Sequence, residues 1–365
     1  MDILVKRYSF FLQIVFVVLL WILAVLARIK LHGLVYGLDF GLYHPDGSLY
    51  SVQGLTFTGL SEETAYKIVN DFYFLHASKI NNLDASVLFN NPNWAEYKYR
   101  FMYPLLSVPF VMLLGMPGML VIPGISFLIL LILPVLLCRH KSLGITGLFI
   151  SVAIMSSPTV VRWMFANISD SLLVAVISLF VLLETRNLSF HKWVVMIVPL
   201  IFVSSTTRFC LPLWLGIALV YFMDKERRRA LVIIVLSVTC ALPTFILSMG
   251  VGILPTEGNA SLFNKLLAYP QIAGKIIFYE VGQLFVMDKL LLFSLILAVF
   301  ITFRNRARIS SRFFLISLAS LAFTGSINGV IGVNFRYQMP LIAFMIWVFV
   351  DWFRARLPES LHKPR

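Results

Sequence analysis

Residues 101–138 read FMYPLLSVPFVMLLGMPGMLVIPGISFLILLILPVLLC, a run of 38 positions without Asp, Glu, Lys or Arg. A helix that crosses a bilayer needs about 20 apolar residues. The run is therefore long enough for two elements, and Pro117-Gly118 divides it. How the halves are used sets the sidedness of everything downstream. If both halves span, the basic loop at Arg139 and Lys141 falls outside. If 103–115 lies along the interface and only 118–137 spans, that loop falls inside.

Working outward, the rest of the chain repeats the pattern. Of 365 residues, 59% belong to the AVILMFWYC set and 13% are charged, with 32 Phe. An ordinary soluble domain carries roughly 45–50% apolar and about 25% charged residues. A soluble fold of this size lacks the interior to hide so much apolar surface, which excludes a cytosolic enzyme, a secreted disulfide scaffold and a disordered tail. Cys138, Cys210 and Cys240 show no metal or redox spacing and read as packing residues. Further charge-free stretches run 8–27, 142–161, 171–183, 193–207, 209–223, 230–256, 290–303, 313–335 and 337–350. The shorter ones can span if flanking Arg and Lys snorkel to the interface.

The positive-inside rule chooses between the two readings of 101–138. With Lys6 and Arg7 cytoplasmic and only 118–137 spanning, the inner side carries 18 basic residues against six acids, and the outer side 12 against 11. Almost the whole net charge of +13 then reports topology, and nucleic acid is not needed to explain it. The expected fold is an all-α polytopic membrane protein, a single transmembrane domain over 1–365. It has about ten transmembrane helices near 9–27, 118–137, 143–161, 171–185, 193–207, 209–223, 230–250, 289–303, 313–332 and 337–353, with both termini cytoplasmic. Helix 9–27 reads as an anchor, because its uninterrupted run exceeds the roughly 7–15 apolar residues of a signal peptide. Two external segments are large: about 28–117, with an interfacial helix at about 103–115, and about 251–288.

Chemistry is thus expected at the outer face, where the candidates are few. Pro45-Asp46-Gly47 is a turn signal opening a helix over 48–58, with Tyr50 one helical turn after Asp46. Asp46 reads either as a carboxylate poised to take a proton from a hydroxyl or as a helix cap; Asp39 is its rival. Asp170 follows Asn167-Ile168-Ser169 at the outer mouth of a helix, after a break at Pro158. It reads as a catalytic or substrate-binding acid, with Arg162 as a partner, or as an acid favoured by the helix dipole, Ser169 or Asp170 being the N-cap. Arg208 ends the run Ser204-Ser205-Thr206-Thr207, and Arg336-Tyr337 opens the last helix. Each arginine can grip a phosphate with two parallel donors. The alternatives are snorkelling for Arg208 and an interfacial anchor for Arg336 with Tyr337. His32, His44 and His76 lack ligand spacing, so no metal site is expected. GxSxG, Walker, HExxH and CxxC motifs are absent from the sequence.

In order, these features resemble the GT-C superfamily of integral membrane glycosyltransferases that use polyprenyl-phosphate sugars. They are one anchor helix, a long external loop with Asp46 and Tyr50, and Arg100-x-x-Tyr103-Pro104-Leu105-Leu106 opening an interfacial helix. Asp170 and the late Arg336-Tyr337-x-x-Pro340 complete the set. The first-loop pattern departs from the family in being Asp-Gly rather than Asp-Glu. The resemblance implies inverting transfer of a sugar from a polyprenyl-phosphate donor to an acceptor hydroxyl of a glycan, lipid or protein. Asp46 would be the base, and Arg336 or Arg208 would stabilise the leaving lipid phosphate. It implies no soluble cofactor, while leaving a divalent metal open, and membrane lipid as a partner. The expected compartment is a bacterial plasma membrane with the site facing the periplasm. Two other classes remain open: a cell-envelope polysaccharide polymerase or ligase, which would lean on external arginines, and a lipid or solute transporter, which would call for inverted repeats and midplane charges.

Overall fold

A computed structural model describes residues 2–31, 45–76, 100–139, 143–186, 188–208, 210–250, 274–275, 278–327 and 336–356. Every regular element among them is helical. Helix α1 is Asp2–Leu31, and the long segment after it contributes α2 (Pro45–Phe57), α3 (Glu62–His76) and α4 (Met102–Leu114). A 3-10 turn, η1 (Met116–Leu120), leads into α5 (Val121–Leu137). Then come α6 (Gly144–Met155), α7 (Pro158–Met164), α8 (Asp170–Glu184), α9 (Phe190–Thr207), α10 (Leu211–Met223) and α11 (Arg227–Gly250). After the helical residues 278–287, the chain closes with α12 (Lys289–Arg304), α13 (Ile309–Ile327), a 3-10 turn η2 (Arg336–Gln338) and α14 (Leu341–Arg354).

Side-chain exposure is inverted relative to a soluble bundle. On α1, Phe11, Leu12 and Leu23 are each more than 60% exposed, while Val17 is buried. Leu113 on α4 is 80% exposed and Phe149 on α6 is 69% exposed. In water each such side chain would forgo about 1.5–3 kcal/mol of burial. Hydrocarbon is the solvent that makes such exposure stable. Among the described residues, three helices are long and apolar enough to cross a membrane: Ser9–Ala27, Met116–Leu137 and Phe190–Thr207. A fourth is added if α6 and α7 count as one bent span.

The run 101–138 divides where the sequence says it should. Gly115 has φ +66, a conformation an L side chain resists, and it lets the chain fold back on α4. Gly118 then lies so close to the Phe110 carbonyl that any Cβ would collide with it. With 13 residues, α4 is about 20 Å long, short of the ~30 Å hydrocarbon core. The stretch 143–161, expected as one span, is instead interrupted. Ser157 caps α7 by accepting from the Val160 amide at 3.2 Å, Pro158 takes the first helical position, and α7 is bent 78° from α6. Of the segment 251–288, expected to be external, residues 251–273 and 276–277 lie outside the described residues.

Helix α8 is the centre of the bundle. Twelve of its 15 residues are buried, and it packs against α5, α7, α9 and α14. It starts where α9 ends and α14 begins, so Asp170, Arg208 and Arg336 are brought to one end. The other end gathers Glu184, Arg229, the Asp224–Arg312 ion pair and Arg308, which donates to the Asp351 carbonyl at 2.5 Å.

Candidate functional site

Asp170 is the first residue of α8 and only 3% exposed. Its two carboxylate oxygens serve two different arginines. Oδ1 pairs with Nη1 of Arg208, and Oδ2 accepts from Nε of Arg336 at 2.9 Å. Both arginines are buried, at 6% and 5% exposure. Such charges are stable out of water only when paired and hydrogen-bonded, so Asp170 is what allows two guanidinium groups to lie side by side.

Aromatic faces hold the cations from the remaining directions. The Arg208 guanidinium lies 4.1 Å from the centre of the Tyr337 ring, and Arg336 lies 5.5 Å from Trp163 and 6.0 Å from Tyr337. Arg162 stands over Trp163 at 5.1 Å. Arg100, at the entry to α4, is near enough that its charge repels Arg208. Among the described residues, Asp170 is shared by Arg208 and Arg336, with Arg100 close enough to act on Arg208, so guanidinium donors of the kind that recognise an anion are gathered at one buried point.

The local structure explains how these groups are held. Ser169 does not cap α8; its hydroxyl is hydrogen-bonded to Tyr50 Oη at 2.8 Å. The carboxylate of Asp170 is likewise spent on arginines. In the last turn of α9, Thr206 and Thr207 bond back to the carbonyls of Phe202 and Val203 at 2.7 and 2.5 Å. Ser204 accepts from Trp214 Nε1 at 2.8 Å. These contacts lock the end of α9, from which Arg208 projects in an extended conformation. Arg208 and Arg336 both point inward onto one carboxylate.

Helix α2 forms the adjoining wall. Ser48, Tyr50 and Ser51 on it are fully buried. Tyr50 packs edge-on against Tyr103 at 5.3 Å, whose hydroxyl donates to the Met119 carbonyl at 2.7 Å. A Cβ on Gly47 would strike the Asn167 side chain, so the first turn of α2 presses directly on the turn before Asp170. Asn167 itself is fully buried and donates to Tyr73 Oη at 2.6 Å, which removes its sequon from any modifying enzyme. Asp46 belongs to that first turn, but its side chain lies outside the described residues, and so does the whole of Asp39.

The fold therefore joins Asp170, Arg208, Arg336 and Tyr337, with Tyr50 linked through Ser169. Sequence reasoning missed Trp163 as the support of Arg336 and Ser169 as the partner of Tyr50. Trp163 carried a usable signal, an aromatic next to Arg162 just ahead of the Asp170 turn. No group of three or more His, Cys, Asp or Glu converges among the described residues. What fold and composition define is a helical membrane protein with a buried, cation-rich centre at one end of its bundle. The chain matches no protein-family model, no curated protein and no solved structure.

Proposed function

We propose that the protein is a membrane glycosyltransferase of GT-C type, moving a sugar from a polyprenyl-phosphate donor to an acceptor hydroxyl. The observation that supports this most is the sharing of one buried carboxylate by Arg208 and Arg336, beside the turn that carries Asp46. An arginine pair held side by side suits a phosphate monoester or diester, which it can grip through parallel donors.

In the reaction, the acceptor oxygen bonds to the anomeric carbon as the carbon–oxygen bond to the lipid phosphate breaks, with inversion. The hydroxyl proton passes to the Asp46 carboxylate. The electron pair leaves with the lipid phosphate, whose growing charge Arg208 and Arg336 stabilise. Asp170, committed to both arginines, is a positioning group and not the base. Tyr337 and Trp163 keep the guanidinium planes oriented. In this reading about ten helices span, both termini are cytoplasmic and the site faces the periplasm of a bacterial plasma membrane.

The test is transfer of labelled sugar from a panel of polyprenyl-phosphate sugars by purified protein. Asp46→Asn is expected to abolish transfer while donor binding persists. Retained transfer in Asp46→Asn together with its loss in Asp39→Asn would move the base to Asp39. The arginine-centred site also favours a second reading, an envelope polysaccharide ligase; transfer insensitive to both Asp46→Asn and Asp39→Asn would select it.

A further inference from the structure

The bend between α6 and α7 leaves backbone groups that need partners. Inside a membrane the first amides of a helix have no water to turn to. Pro158 has no N–H, so the accounting concerns Thr159, Val160 and Val161. Val161 donates to the Ser157 carbonyl at 3.0 Å and Val160 to the Ser157 hydroxyl oxygen at 3.2 Å. Thr159 donates to Oδ2 of Asp288 at 3.1 Å, and the Ser157 hydroxyl donates to that same oxygen. The other oxygen, Oδ1, accepts from the Leu291 amide at 3.0 Å and so caps α12. Asp288 is 2% exposed. A single carboxylate, 129 residues away in sequence from Thr159, thus closes the starts of two helices and ties them together.

Helix α7 has seven residues, about two turns. Its first turn is held by Asp288, and its last carries Trp163, 3% exposed, beneath Arg336. So short and stiff an element transmits any rotation at one end to the other. Beside it, between α6, α7, α12 and α14, lies a cavity of about 70 Å³ lined by Ile154, Val160, Leu291 and Ile346. A released α7 has room to move there.

We propose that Asp288 is a positioning residue for the anion site: it holds the bent form of α6–α7 and so keeps Trp163 under Arg336. This rests on the reading of Arg208 and Arg336 as the anion-binding pair. The amide of Asp288→Asn offers one acceptor where two are needed, and its NH2 confronts donors. Ser157→Ala removes one link and leaves the α12 cap in place, so it serves where Asp288→Asn folds poorly.

Three readouts on the purified full chain decide the matter: hydrogen exchange over 159–165, the near-ultraviolet dichroism lost on Trp163→Phe, and affinity for a short-chain polyprenyl phosphate. In Asp288→Asn and Ser157→Ala, exchange over 159–165 is expected to rise about tenfold or more while α8 and α14 stay protected. The Trp163 signal should fade and probe affinity drop about tenfold, with Trp163→Phe adding nothing further in the Asp288→Asn background. Unchanged exchange and dichroism in both variants overturn the proposal, as does their loss without a change in affinity. A parent protein that fails to bind the probe overturns the anion reading instead, and exchange over 159–165 still reports separately whether Asp288 holds the bend.

Discussion

The two ends of α8 make the same kind of contact with opposite balance. At its last residue, Glu184 accepts from Trp193 Nε1 at 2.7 Å. Arg229 lies over Trp193 and Tyr221 at 5.2 and 5.9 Å and has its own acid, Glu226, at 3.8 Å. A neutral donor serves the carboxylate, and Arg229 and Arg312 each have an acid of their own. At its first residue, Asp170 takes two arginines directly, and a third acts on them from Arg100. The Glu184 end is a closed clasp. The Asp170 end instead gathers two arginines on one carboxylate, donors of the kind a phosphate recruits.

The sharpest way to break this comparison is to neutralise each acid. Asp170→Asn leaves two buried guanidinium groups without their counter-ion, a class of change that costs about 3–5 kcal/mol. A large fall in Tm is expected, partly restored by polyprenyl phosphate or inorganic phosphate. Glu184→Gln keeps an oxygen for Trp193 and is expected to cost about 1 kcal/mol, with no phosphate rescue. Equal losses, or equal rescue, in the two variants would erase the distinction.

Next in size are the arginines. Arg336→Ala and Arg208→Ala each remove a charge-assisted contact worth about 1.5–3 kcal/mol, so affinity for polyprenyl phosphate should fall roughly 10–100-fold. Arg208→Lys should recover only part of it, because an ammonium cannot reproduce the guanidinium fork. Arg229→Ala, at the opposite end, should leave that affinity where it was. The smallest effect belongs to Tyr50→Phe, which deletes the bond to Ser169 and should cost about 0.5–1.5 kcal/mol of stability, read as a modest shift in Tm.

Much of this was legible in the sequence, for reasons that differ by element. The charge-free stretches locate helices because hydrocarbon tolerates few ions, and α9, α10 and α12 lie where 193–207, 209–223 and 289–303 were expected. Pro117-Gly118 was expected to divide 101–138; the reversal falls at Gly115, whose positive φ only glycine adopts easily, and Pro117 and Gly118 lie inside η1 just after it. The expected span 143–161 erred on continuity: apolar content does not reveal a bend whose partner, Asp288, sits far along the chain. Asp288 could have been suspected as a cap from its place just before Lys289-Leu290-Leu291, but not as the partner of Ser157. In the same way, Asp170, Arg208 and Arg336 each stood out as ions among apolar residues. That both arginines meet one carboxylate depends on α9 ending and α14 starting beside α8, which no local pattern encodes.

The central claim is that Arg208 and Arg336 together face a lipid phosphate. Solid-state magnetic resonance on nanodisc-embedded protein with 15N-labelled arginine guanidinium groups and bound polyprenyl phosphate measures this directly, through the 15N–31P dipolar contact. A strong contact in the parent protein that vanishes when both residues are lysine is the predicted result. A contact that persists undiminished in that double variant, or none in the parent at saturating ligand, would contradict it.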